Sequence, residues 1–248
     1  MAIIVVTNNN TAKTLLEICQ DVAYEVGFPA PSSIVNNNDI VAQQLYRLAN
    51  REGEILSIYP WQTLVTEAEF TLATGDQDYD LTTIAPGYRY IIPSTTWNRD
   101  NKRIVLNPVT SQEWQFLKGW TTISGLNLRA RIRANALEFE QTITAADNGK
   151  TIAFEYISAK WAETSAGAPQ HKFQADDDIA RIDAEVITQG VVWRFKKAKG
   201  LEWQEDYAEY KNSVSKFKAN NGGSRTLNMG KGQFGGELGV NLSDRGYG

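Results

Sequence analysis

Histidine and cysteine are almost absent from this chain of 248 residues, which holds one of each, His171 and Cys19. A single cysteine excludes an intrachain disulfide framework and a zinc site built on paired thiolates. Cys19 falls among the apolar positions of a helical pattern, where a buried, inert thiol is expected. No Gly-x-Ser-x-Gly elbow accompanies His171, which follows Pro169-Gln170 in a linker-like stretch, so a surface or packing role is expected for it. Long apolar runs are missing too. The opening segment Met1-Ala-Ile-Ile-Val-Val-Thr7 lacks a basic flank and is too short for a signal peptide or a membrane span, so cytoplasmic synthesis is expected. Positive charge is in deficit: 25 Lys and Arg against 29 Asp and Glu leave a net charge of −4. That balance argues against a general nucleic-acid-binding surface.

What is present is ordinary in bulk and unusual in its aromatics. Hydrophobic content of 42% and charged content of 22% suit a globular chain. Seven Trp and ten Tyr exceed what solubility requires and suit interfaces.

The order of patterns is helix, helix, many short strands, helix, helix, tail. Leu15, Cys19, Val22 and Val26 share a stripe that predicts a helix over 11–26, capped by Thr11 or an adjacent Asn and stopped by Gly27. A second helix is predicted over 39–59, with Ile40, Val41, Leu45, Leu48, Ile55 and Tyr59 at helical spacing and Pro60 ending it. The period then changes to two. Residues 67–72 and 78–81 flank a turn at 73–77; 88–92 and 94–97 are strand material; Asn98-Arg-Asp-Asn101 is a tight turn leading into 103–106. Residues 111–118 suit a short helix with Trp114 inward. Residues 136–143 and 151–158 alternate clearly about Asp147-Asn148-Gly149, which predicts a hairpin. After a linker-like stretch over 161–174, Asp176-Asp-Asp178 opens a predicted helix over 179–199, and Gly200 separates it from another over 202–219. There Trp203, Tyr207, Tyr210, Val214 and Phe217 form one stripe.

These patterns imply an α+β fold. The helix pairs in 1–60 and 176–219 would form one helical bundle. Residues 61–175 would be an inserted antiparallel β sandwich or barrel-like module, and 220–248 an extended glycine-rich tail. Ordering such a tail costs roughly 1–2 kcal/mol per residue, which its scattered apolar side chains cannot offset against the chain's own surface. Arg225, Leu227, Met229, Phe234 and Leu238 are therefore the candidate docking residues of a tail that needs a partner.

No catalytic constellation and no cofactor site emerge, so the expectation is a non-enzyme. Glu138 and Glu140 alternate with Leu137 and Phe139 and are expected on a solvated strand face. Asp176, Asp177 and Asp178 lack the spacing of a calcium loop. Gly230-Lys-Gly-Gln-Phe-Gly-Gly236 lacks the Lys-Ser/Thr ending of a phosphate loop. Arg129, Arg131 and Arg133 share one face of an extended segment and are candidate contacts to phosphate or to a neighbouring subunit.

The layout resembles the head-to-tail adaptor proteins of tailed bacteriophages, of the tail tubular protein A type found in short-tailed phages. The resemblance lies in the early helical hairpin with the helix Asn37-Asn-Asp-Ile-Val-Ala-Gln-Gln-Leu-Tyr-Arg-Leu-Ala-Asn50, and in the exit Tyr59-Pro-Trp61. It continues in the segment Phe70-Thr-Leu-Ala-Thr-Gly-Asp-Gln-Asp-Tyr-Asp-Leu81 and in a Trp-bearing strand before the short helix at Trp114. Thr82-Thr83 stands where the family usually has Pro. The resemblance implies a virion neck protein assembled in the host cytoplasm: a ring, usually of twelve copies, that binds the portal above and the tail nozzle or tail tube protein below. Genomic duplex DNA would pass through without specific binding, and no membrane is involved. The competing expectation is a tail or baseplate component with a receptor- or carbohydrate-binding β module.

Overall fold

A computed structural model describes residues 12–107, 109–119 and 127–221. Six helices and eleven short strands lie among the described residues, giving a mixed α+β fold. The described residues divide into two compact units, one made of 12–65 together with 157–221, the other of Thr66–Tyr156.

In the first unit, α1 (Leu15–Val26) opens with a capping box at Thr14, not at Thr11 or an Asn. The Thr14 N–H donates to the Glu17 carboxylate at 2.8 Å, and the Glu17 N–H donates to the Thr14 hydroxyl at 3.2 Å. Two orphan donors are thereby satisfied at once. Gly27 closes the helix with φ 86°, a left-handed cap that only glycine adopts without cost.

Helix α2 (Ile40–Leu56) is capped by Asp39 and stops three residues before Tyr59. Its buried side is Ala42, Leu45, Ala49, Glu52, Gly53 and Leu56, whereas Ile40 is 78% exposed. Of the stripe expected from sequence only Leu45 is in that buried set. Small residues win the core face because they let neighbouring elements approach closely.

The stretch expected as linker carries β9 (Ala162–Glu163) and β10 (Pro169–Gln170), which form a three-stranded antiparallel sheet with β11 (Ile179–Ala180). Trp161 and Phe173 are buried there, ring to edge at 4.8 Å between centroids. Residues 157–175 therefore group with the helices and not with the β unit.

The aspartates at 176–178 do not open a helix. Asp176 accepts from the Ile34 and Val35 amides at 3.1 and 2.7 Å, and Asp178 accepts from the Ala175 amide at 2.8 Å. Loop amides with no other partner claim the carboxylates, and helix α5 (Ala184–Lys199) starts later, capped by Asp183. It ends on three lysines and left-handed Gly200 (φ 73°). Helix α6 (Gln204–Asn221) completes the unit, and α1, α2 and α6 all pack on α5.

The second unit holds β1 (Val65–Thr71), β2 (Asp78–Asp80), α3 (Leu81–Ile84), β3 (Tyr88–Ile91), β4 (Trp97–Asn98), β5 (Arg103–Ile104), α4 (Ser111–Gly119), β6 (Ala130–Arg133), β7 (Ala136–Phe139) and most of β8 (Thr151–Ser158). One sheet runs β1-β8-β4-β5 with β3 also on β8; another runs β2-β7-β6. The β4–β5 hairpin appears where the tight turn predicts it.

The expected hairpin of 136–143 with 151–158 does not form. Strands β7 and β8 belong to different sheets, as do β1 and β2, and β8 takes β1 while β7 takes β2. The two chain reversals instead bind each other. Leu72 and Lys150 share a 2.8 Å bond, Gly149 donates to Leu72 at 2.8 Å, and Gly75 donates to Ile143 at 3.0 Å. One core spans both sheets, with Leu72, Tyr79, Leu137, Phe139, Ile152 and Phe154 among its members. The expected barrel-like closure is absent among the described residues.

Candidate functional site

Strand β6 carries Arg131 and Arg133, with Arg129 just before it, and neighbours neutralise two of the three. Arg131 stands opposite Glu138 in register, pairs with its carboxylate at 2.6 Å, and lays its guanidinium 4.0 Å from the Trp114 ring centroid. Arg129 pairs with Glu140 at 3.3 Å. Arg133, at the strand end, is exposed and forms no ion pair among the described residues. The two glutamates are thus partners of the arginines and not merely a solvated face. Trp114 is buried as expected, and its indole is the platform on which Arg131 rests.

A different set of cations is uncompensated. Arg47 and Arg51, one turn apart on α2, face the loop that carries His171 and Lys172 across an open groove of about 460 Å³. The loop is held there by two bonds: the Tyr46 hydroxyl donates to the Phe173 carbonyl, and the Phe173 amide donates to the Asn50 side chain, each at 2.8 Å. Burial of Phe173 against Trp161 fixes the same loop from beneath. None of Arg47, Arg51 and Lys172 forms an ion pair among the described residues, all three are exposed, and Glu54 is the one carboxylate lining the groove. His171 lies in this groove, and no Ser, Thr or Cys is among the residues lining it. The sequence concealed the cluster because its members are more than a hundred residues apart.

The first turns of α6 show the opposite sign. Glu205 and Glu209 are exposed there, and Glu202 just before them is exposed as well. Asp206 pairs with Lys196 at 2.7 Å. Burial, and then repulsion from Asp206, Glu185 and Glu209 against the pull of Lys196, holds the Glu25 carboxyl above its ordinary range. Beneath this end, Trp193 meets Trp203, Tyr207 and Tyr210 with ring centroids 6.0, 4.9 and 6.1 Å away. The aromatic stripe read from the sequence of α6 is therefore largely its seat on α5.

No family model matches this chain, and no curated protein matches it.

Sequence reasoning missed a buried polar centre that joins three helices. Glu52 of α2 is fully buried; Arg194 of α5 donates to it at 2.5 Å, and the Tyr210 hydroxyl of α6 donates to its other oxygen. Burial, and then the charge of Glu52, pushes the Tyr210 hydroxyl well above its ordinary pKa, so it stays a donor. The signal was available in principle: Glu52 sits three residues after Ala49 on the buried phase of the helix, and Arg194 interrupts Val191-Val-Trp193 and Phe195.

Arg225, Leu227, Met229, Phe234 and Leu238 lie outside the described residues. At the end of α6 the Gln62 amide donates to the Asn221 side chain at 2.8 Å. Among the described residues no group of His, Cys, Asp and Glu is placed to hold a metal ion, and no helix is long and apolar enough to cross a membrane.

Proposed function

We propose that this chain is a structural subunit of a phage neck, a head-to-tail adaptor that forms a ring below the portal and lines the DNA channel. The observation that carries the reading is the way the first unit is closed. Helices from both sides of residues 66–156 pack on α5, so 66–156 is an insertion into the helical unit. Two units in one subunit suit a part that would meet the portal through one and the tail nozzle through the other. In this reading the tail, through Arg225, Leu227, Met229, Phe234 and Leu238, clasps the portal and orders only on contact, so that attachment to the portal, rather than contact between copies, waits for that partner.

Tryptophan placement favours this reading over a sugar-binding module. Sugar binding needs several Trp on one solvent face; of the described Trp in the β unit, Trp114 is 2% exposed and Trp97 is half-buried.

The test is electron microscopy of the purified chain mixed with the portal ring encoded by the same genome. A collar with the portal's symmetry is expected, lost when the four apolar tail residues are replaced by Ser. A portal that stays bare would remove the chain from the neck.

A further inference from the structure

Helix α2 has two faces of mixed character, and only one is used. Ala42, Leu45, Ala49 and Leu56 are buried in the unit. On the outer side Ile40 is 78% exposed, Arg47 and Arg51 carry unpaired charge among the described residues, and Ile58 just beyond the helix is 58% exposed. Isolated exposed isoleucines are unremarkable. Two of them bracketing a pair of uncompensated guanidinium groups, beside a groove with Lys172, form a surface with both apolar area and a charge preference.

The same unit carries the complement. Glu202, Glu205 and Glu209 recur at spacings of three and four and are exposed, with no ion pair among the described residues. Leu201, 48% exposed, precedes them, whereas Tyr207 lies on the other side of α6 against Trp193.

We propose that the α2 face centred on Arg47 and Arg51 receives the Glu202–Glu209 end of α6 from a second copy of this chain. The inference rests on the ring-forming reading above and names the surfaces that would build the ring. Charge complementarity selects the occupant: basic with exposed isoleucine on one surface, acidic with exposed leucine on the other. Because the two surfaces differ, each copy donates one and accepts on the other. Such a heterologous contact propagates head to tail and closes into a ring when the rotation allows. Duplex DNA is the lesser occupant, since a phosphate backbone would use the arginines and leave Ile40 and Ile58 bare.

The experiment uses two double variants of the full chain, Arg47→Glu/Arg51→Glu and Glu205→Arg/Glu209→Arg, with wild type. Mass photometry and sedimentation velocity read the assembly state at low salt over rising concentration, and circular dichroism confirms that each variant is folded. Wild type is expected to form multiples of its own mass, and each variant alone to lose about 100-fold or more in association. Mixed in equal amounts, the two variants are expected to recover assembly, because every contact in an alternating array is again between opposite charges. Neither variant alone can do this, so recovery cannot arise from a folding defect. Wild type that stays monomeric at several hundred micromolar, variants that assemble like wild type, or a mixture that fails to recover would each overturn the proposal. So would an Arg47→Glu/Arg51→Glu chain that assembles normally and has lost only retention of a short DNA duplex in a gel shift. Portal binding separates this idea from the adaptor reading. A chain that forms a collar without needing these charges sinks the interface alone; one that assembles through them and ignores the portal sinks the adaptor reading alone.

Discussion

Gly190 of α5 lies directly against the side chain of Glu52 on α2, so that a β-carbon at position 190 would overlap the glutamate Cγ and Cδ. The same relationship recurs one residue along α2, where a β-carbon on Gly53 would overlap the six-membered ring of Trp161. Neither neighbour can yield cheaply: Glu52 is held by Arg194 and Tyr210, and Trp161 is packed against Phe173.

Gly190→Ala and Gly53→Ala are accordingly expected to destabilise the first unit by about 1–3 kcal/mol, the usual cost of overpacking a core. The sign is the test, because alanine in a helix interior is otherwise favoured by about 1 kcal/mol over glycine. Urea denaturation that shows either variant equal to or more stable than wild type would refute the close packing.

Tyr210→Phe keeps the ring and removes the donor to a buried carboxylate, and a loss of about 1.5–3 kcal/mol is expected at neutral pH. The pH dependence follows from the raised pKa of the hydroxyl in the fold. The native state prefers the neutral phenol, so this contribution is complete below the ordinary value of 10.0 and is lost progressively as pH rises above it. Stability measured from pH 9 to about 11.5 should fall less steeply in the Phe variant than in wild type. Parallel curves would mean that Tyr210 titrates normally.

Arg131→Ala should cost more than Glu138→Ala, because the guanidinium also covers Trp114 at 4.0 Å. The ion pair itself is partly shielded, with side chains 15% and 18% exposed, and a double-mutant cycle should return a coupling of about 0.5–1 kcal/mol. Additive single effects would show the pair to be independent in solution.

Cys19 is fully buried and burial pushes its thiol up to about 12. With almost no thiolate and no access, it should be silent toward an aromatic disulfide reagent at pH 8 in the native chain and react fully once denaturant is added. Fast native labelling would place α1 elsewhere.

Local signals survived where the residues that decide an element are neighbours in the chain. Gly27 and Gly200 end their helices in the left-handed conformation, Asp39 caps α2, and Trp114 faces inward from α4. They failed where a distant group competes. Asp176 looked like a helix opener and instead binds two amides of the loop at Ile34–Val35. The stripe from Ile40 to Tyr59 looked like a core face, yet only Leu45 of it is fully buried, Ile40 is exposed and the rest are half-buried, because burial against α5 chose the side with Ala42, Ala49 and Gly53.

The sequence alone determined the coarse order of helical and extended segments, that Gly27 and Gly200 stop helices, and that the chain is an α+β fold with strands between two helical segments, since these follow from periodicity and backbone preference. The tertiary structure alone decided which strands pair, where Glu52 finds Arg194 and Tyr210, and which arginines keep their charge unpaired. Alternation records the face a strand buries but leaves no mark of the neighbour its edge amides will meet. An ion pair between residues 142 positions apart exists only once the fold has closed the distance.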